Sequence, residues 1–205
     1  MKRDRREFII NELMVPGFME NMDDKILLEE KEESGKSKLN VQLMSKENLC
    51  IANVDKKHTD LCVFQDIKDK SMKKRVDHII FEHQGMEKWR LHLIEMKGSV
   101  QSSKWVEIKG KFRASYLLSQ AIAGMLELNI EETIMYTTFE KVQFSPSKTM
   151  PSARRVPTGI PLSKMEQEWS GQTFGINLGE HLPFKHVPIQ MRRNEEGILV
   201  GDLTK

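Results

Sequence analysis

Residues 76–99 read VDHIIFEHQGMEKWRLHLIEMKGS. Two short apolar runs flank the connection HQGMEKW, which holds the glycine that a hairpin connection favours. The runs therefore read as paired strands over 75–82 and 90–97. Side chains alternate across a strand. Glu95 and Lys97 then share one face, with Leu91 and Leu93 leading up to them. His92, Ile94 and Met96 pack on the other face. Asp77 belongs to the preceding strand, and neighbouring strands lie roughly 4.8 Å apart. The three charged side chains are thus expected to converge at one sheet end. His78 follows Asp77, should face the opposite layer, and reads as structural.

Working outward, 111–128 (KFRASYLLSQAIAGMLEL) is the best helix in the chain, stopped by Asn129. Residues 133–144 are rich in β-branched and aromatic residues and read as a long strand. Upstream, 60–68 looks like a strand and 39–54 is ambiguous between strand and helix. Residues 6–14 and 23–33 read as short helices, the second with acids favourable at its start. Downstream, 145–161 holds four prolines and a local excess of base, including Arg154 and Arg155, and reads as a loop. The segment KMEQEW is ambiguous, and two short strands, HVPIQM and GILVGDL, follow around an RRNEEG turn. The expected organisation is an N-terminal helical segment (1–38), a core (39–144), the proline-rich basic loop (145–161) and a C-terminal extension packing on the core (162–205).

The chain has 205 residues, 39% hydrophobic and 30% charged, an ordinary balance for a globular domain. A net charge of +2 does not announce nucleic acid, so any basic footprint must be local. No run approaches the roughly 20 apolar residues of a membrane span. The start lacks a signal-peptide pattern, so a cytosolic protein without membrane contact is expected. Cys50 and Cys62 are the only cysteines and form no CxxC pair; both are expected as reduced, buried thiols, with a disulfide as the lesser alternative. The six histidines show no metal-binding spacing.

Two carboxylates and a backbone carbonyl are hard oxygen donors suited to Mg²⁺ or Mn²⁺. A divalent cation there would polarise a phosphodiester and activate water. A neighbouring lysine would orient or deprotonate that water, or offset charge developing on phosphate. Spacing alone says little. Acid-x-lysine recurs at Asp23/Lys25, Glu29/Lys31, Asp55/Lys57, Asp66/Lys68 and Glu107/Lys109. What sets Glu95 and Lys97 apart is their place at the end of an apolar strand, after Asp77 and before a strong helix and another strand.

In that order, RVDHIIF…LHLIEMKGS resembles the PD-(D/E)XK nucleases over roughly residues 60–144. The resemblance implies an α/β restriction-endonuclease-like core, a central mixed sheet flanked by helices in the order α-β-β-β-α-β. It implies catalytic Asp77, Glu95 and Lys97, with Mg²⁺ or Mn²⁺ held by Asp77, Glu95 and the Met96 carbonyl. Val76 stands where the family often has proline. An upstream acid is common in the family, and Glu47, Glu29 and Glu30 are candidates, Glu47 being carried as the further metal ligand. Some members have Gln-xxx-Tyr on the following helix. Gln120 fits the glutamine, but Gly124 replaces the tyrosine.

The implied activity is hydrolysis of nucleic acid, DNA first and RNA second, with a homodimer suggested by analogy alone. Lys104, Lys109, Lys111, Arg113, Gln120, Arg154 and Arg155 are the candidate nucleic-acid contacts, with Trp105 for base stacking. The plain alternatives are a solvated helix face for Arg113 and Gln120, a turn with Trp105 tucked inward, and a salt bridge at the sheet rim for the triad. A binding module without turnover on the same fold is the remaining alternative.

Overall fold

The computed structural model describes residues 5–32, 35–57, 64, 72–144 and 164–204. Its elements are helix α1 (Arg5–Phe8) running into a π-turn (Ile9–Leu13), strands β1 (Glu20–Met22), β2 (Lys25–Glu32), β3 (Gly35–Gln42) and β4 (Asn48–Ile51), and a 3₁₀ turn (Val54–Lys56). There follow β5 (His78–His83), β6 (Lys88–Glu95), β7 (Ser99–Gln101), helix α2 (Ser102–Leu126), β8 (Asn129–Phe139) and β9 (Lys141–Gln143). The chain continues with α3 (Lys164–Trp169), β10 (Gly175–Asn177), β11 (His181–Pro183), β12 (Lys185–Gln190), β13 (Arg192–Arg193) and β14 (Leu199–Thr204).

Six strands form a central mixed sheet in the order β1-β4-β5-β6-β8-β12. Strands β4, β5 and β6 are an antiparallel meander. Helix α2 then crosses over, so β8 lies parallel to β6 and β12 parallel to β8. The expected hairpin is present, with His78 opposite Ile94. A second sheet, β13-β14-β3-β2, joins the two ends of the sequence through a parallel β3–β14 pair.

Strand parity explains the layers. Ile79, Phe81, Leu91 and Leu93 face α2 and pack with Trp105, Ile108, Phe112 and Ile122. Ile80, Ile94, Met96 and Tyr136 face the second sheet and pack with Ile26, Leu28, Leu39 and Val41. With both faces covered, β5 and β6 are buried along nearly their whole length. One polar group in this interior is fully paired. Buried His92 sits 3.0 Å from Glu82 and 3.2 Å from the Tyr136 hydroxyl.

Two expectations change. Residues 23–33 are not a helix: they hold β2, whose Ile26, Leu28 and Glu30 turn inward while Leu27 and Glu29 turn out. Among the described residues of the segment 1–38, strand therefore exceeds helix, which is confined to 5–13. Helix α2 begins nine residues before 111, because Trp105, Ile108 and Phe112 continue its buried stripe. Cys50 is a buried free thiol, as expected; Cys62 lies outside the described residues. No described helix is long and apolar enough to cross a membrane.

Candidate functional site

The β5–β6 hairpin sets the site. Asp77 immediately precedes β5 and Glu95 ends β6, so antiparallel pairing puts them side by side. Backbone contacts hold both ends. The Val54 N–H donates to the Asp77 carbonyl at 2.8 Å, and the Val76 N–H donates to Ser115 Oγ at 2.9 Å. The Met96 N–H donates to Asp77 Oδ2 at 2.5 Å. The Lys97 N–H donates to Thr138 Oγ1 at 2.9 Å, and that hydroxyl donates back to the Lys97 carbonyl at 3.2 Å. Gly98 follows against Leu199, where a Cβ would lie 3.1 Å from the leucine side chain.

Two ammonium groups sit between the carboxylates. Lys97 Nζ is 3.3 Å from Glu95 Oε1 and 3.7 Å from Asp77 Oδ2. Lys111 Nζ is 2.7 Å from Glu95 Oε1 and 3.8 Å from Asp77 Oδ1. Glu95 is fully buried, and Asp77 nearly so. Burial, reinforced by the Asp77 charge, pushes the Glu95 carboxyl up to about 7 against the pull of both lysines. Burial also raises Asp77, opposed by Lys97, Lys111 and the Met96 N–H. Burial works against the Lys111 charge, but Glu95 and Asp77 outweigh it and hold that ammonium above its ordinary value.

Two more acids join from outside the hairpin. Oxygens of Glu30, Asp55 and Asp77 all lie within 4.8 Å of one another. Glu30 reaches in from β2 and is buried, with Oε1 held by Lys56 Nζ at 2.6 Å. Asp55 sits exposed on the 3₁₀ turn, its carboxyl raised by partial burial and then by the Asp77 and Glu30 charges. His78 faces the second-sheet side and accepts the Asn53 N–H through Nδ1 at 3.3 Å, the structural position expected of it.

Several sequence-predicted residues stand elsewhere. Glu47 is not beside Asp77: it adjoins the far end of β5, 3.2 Å from His83 Nδ1 and exposed. Glu29 points outward to Lys38 at 2.9 Å, whereas its neighbour Glu30 turns in beside Asp77. Lys109 does not face a ligand surface: it binds buried Glu168 at 2.7 Å, as does the indole N–H of Trp105 at 3.2 Å. Trp105 is fully buried and stacks on no base. Lys111 lies inside the acidic centre and Lys104 at its margin, bonded to Glu107 at 3.1 Å.

Arg113 lies two residues beyond Lys111, about 200° around α2, and so turns away from the acids. Gln120 lines a separate cavity of about 710 Å³ with Tyr116 and Phe184. Nine helical residues, about 13 Å, separate it from Lys111. Arg154 and Arg155 lie outside the described residues. Asp55 was missed, although its acid-x-lysine spacing is one of the five other pairs in the chain.

The donor set fits a hard divalent cation. Glu30, Asp55 and Asp77 offer carboxylate oxygens within 4.8 Å of one another, and Glu95 stands outside that group, joined to Asp77 through Lys97 and Lys111. Glu95 Oε2 and Glu30 Oε2 are buried without a hydrogen-bond partner among the described residues, a costly state that a cation would relieve. The Met96 carbonyl accepts from Lys97 Nζ at 2.8 Å, so it contributes to metal binding only if that ammonium moves. Compared with known families, curated proteins and solved structures, the chain has no significant match.

Proposed function

We propose that the chain is a Mg²⁺- or Mn²⁺-dependent nuclease of the PD-(D/E)XK type, hydrolysing phosphodiester bonds, with DNA as the favoured substrate. The observation that carries this is the convergence of Asp77, Glu95 and Lys97 at one end of the β5–β6 hairpin. The succession β4-β5-β6-α2-β8, antiparallel then parallel, supports it as the β-β-β-α-β part of that fold. The chain departs from the pattern upstream, where β1, β2 and β3 stand between the short first helix and β4.

Asp77 and Glu95 are the metal ligands in this reading, with the Met96 carbonyl beside them and Glu30 and Asp55 flanking. When bound, the cation supplies Lewis-acid polarisation of the phosphate and offsets its developing charge. Lys97 holds its ammonium where it can orient water or contact a phosphate oxygen. Lys111 neutralises Glu95 and Asp77 and fixes their orientation from α2. Thr138 and Ser115 act through the backbone by fixing the two strand ends.

The test is cleavage of labelled DNA and RNA, single- and double-stranded, with Mg²⁺ or Mn²⁺. Glu95→Ala and Lys97→Ala should each abolish cleavage by the parent; unchanged cleavage in either variant defeats the assignment. A second reading has one observation in its favour: Lys97 and Lys111 already neutralise the two carboxylates without a cation. It makes the cluster a structural salt bridge in a binding module without turnover. It predicts that calorimetric Mn²⁺ titration gives the same trace for the parent and for an Asp77→Asn, Glu95→Gln variant.

A further inference from the structure

A cleft of about 420 Å³ opens directly onto Lys97, between the end of the central sheet and the second sheet. Its floor holds Met96, Lys97 and Glu30. One wall is Lys36 and Ser37 of β3; the other is Lys141 of β9 with Gly98 and Ser99, and Lys104 stands at the first turn of α2. The cleft lining has five cationic side chains, the fifth being Arg193, against two carboxylates, Glu30 and Glu140.

The cations are not equivalent. Arg193 is held by Glu140 through two bonds of 2.9 Å, which cancels its charge and braces that wall. Lys104 shares Glu107 with Lys74. Lys36 and Lys141 are exposed and form no salt bridge among the described residues. A chain with a net charge of only +2 thus places unspent positive charge on both walls of a cleft that reaches Lys97 and Glu30. Lysine, serine hydroxyls and backbone N–H groups are the usual partners of phosphate oxygens.

We infer that this cleft is the track of a single nucleic-acid strand, with Lys36 and Lys141 holding phosphates on either side of the bond presented to Lys97. The inference rests on the nuclease reading and deepens it. Size decides strand number. The cleft volume lies within the roughly 300–1,000 Å³ of small-molecule pockets, room for a nucleotide or two. A space of that volume takes in one backbone and not both strands of a duplex. Glu30 on the floor is buried, as are Asp77 and Glu95, which meet the cleft only through Lys97, so the strand must enter the cleft to reach them.

The test is fluorescence anisotropy with a labelled single-stranded oligonucleotide in EDTA, comparing the parent with Lys36→Gln, Lys141→Gln and with Lys185→Gln as a surface control. The double variant should bind at least tenfold more weakly, and its slope of log affinity against log salt should fall by about 1.4, at roughly 0.7 per phosphate contact on a single strand. Lys185→Gln should bind as the parent does. Equal affinity of the double variant and the parent overturns the track, and so does equal competition by duplex and single strand of one sequence. Hydrolysis of bis(p-nitrophenyl) phosphate with Mn²⁺ separates the two claims. A failed track leaves that small-substrate turnover intact, whereas a failed nuclease reading abolishes turnover in the parent and leaves the binding comparison to decide the track.

Discussion

Glu95→Gln should make the metal-free protein more stable at neutral and alkaline pH. The glutamine keeps the shape of the side chain and removes its titration. In the folded protein the Glu95 carboxyl titrates at about 7, against an ordinary 4.5. Below 4.5 it is protonated whether the chain is folded or not, and it contributes nothing to the pH dependence. Between 4.5 and 7 the unfolded chain gives up this proton while the folded one keeps it, so rising pH favours unfolding. Above 7 both forms are ionised and the cost is level. That interval, at about 1.4 kcal/mol per pH unit, amounts to about 3 kcal/mol. In a chain of this length the same difference corresponds to roughly 10 °C in melting temperature.

The quantity to follow is the stability difference between the parent and Glu95→Gln as pH rises. Urea denaturation in EDTA, followed by the fluorescence of buried Trp89, Trp105 and Trp169, measures it. Parent stability should fall relative to Glu95→Gln from pH 4.5 to 7.5 and then run parallel. Two curves parallel throughout would refute the burial argument for this carboxyl.

The same proton predicts that Mn²⁺ binds more tightly as pH rises from 6 to 8, by about tenfold, and then levels off; a calorimetric affinity independent of pH would contradict it. Lys109→Ala should lower the melting temperature by about 5 °C, because a charge-assisted bond to Glu168 is worth about 2 kcal/mol. Oligonucleotide affinity should not change in that variant, and a weakened anisotropy signal would return Lys109 to the binding surface. Cys50, its thiol pushed up to about 12 mainly by burial, should resist thiol reagents at pH 8 until the chain is unfolded. Peptide mapping by mass spectrometry reads that directly, and rapid native modification of Cys50 would count against its placement.

The parts legible in the sequence were those set by local periodicity. The alternation from Leu91 to Lys97 put Glu95 and Met96 on opposite faces, and one glycine-containing connection was enough to bring Asp77 alongside; that the Glu95 face meets α2 came from the structure. What escaped depended on distant pairing. Glu30 lies on a strand whose inward Ile26 and Leu28 alternate correctly, but the acidic run around them imitates a helix start. Its strand is held by β3, and β3 by β14, which pairs Leu199 with Ser37 from the other end of the chain. Asp55 is drawn to Asp77 by the Val54 N–H on the Asp77 carbonyl, a contact with no local signature. Lys111 stood at the expected beginning of a helix that in fact starts at Ser102, so its turn toward the sheet was not visible.

The most direct measurement is anomalous diffraction from a crystal equilibrated with Mn²⁺. The proposed function predicts a manganese peak in contact with Asp77 and Glu95, with the Lys97 ammonium withdrawn from the Met96 carbonyl. A map without density there, and with Lys97 and Lys111 still bridging the two carboxylates, would make the cluster a salt bridge and contradict the proposal.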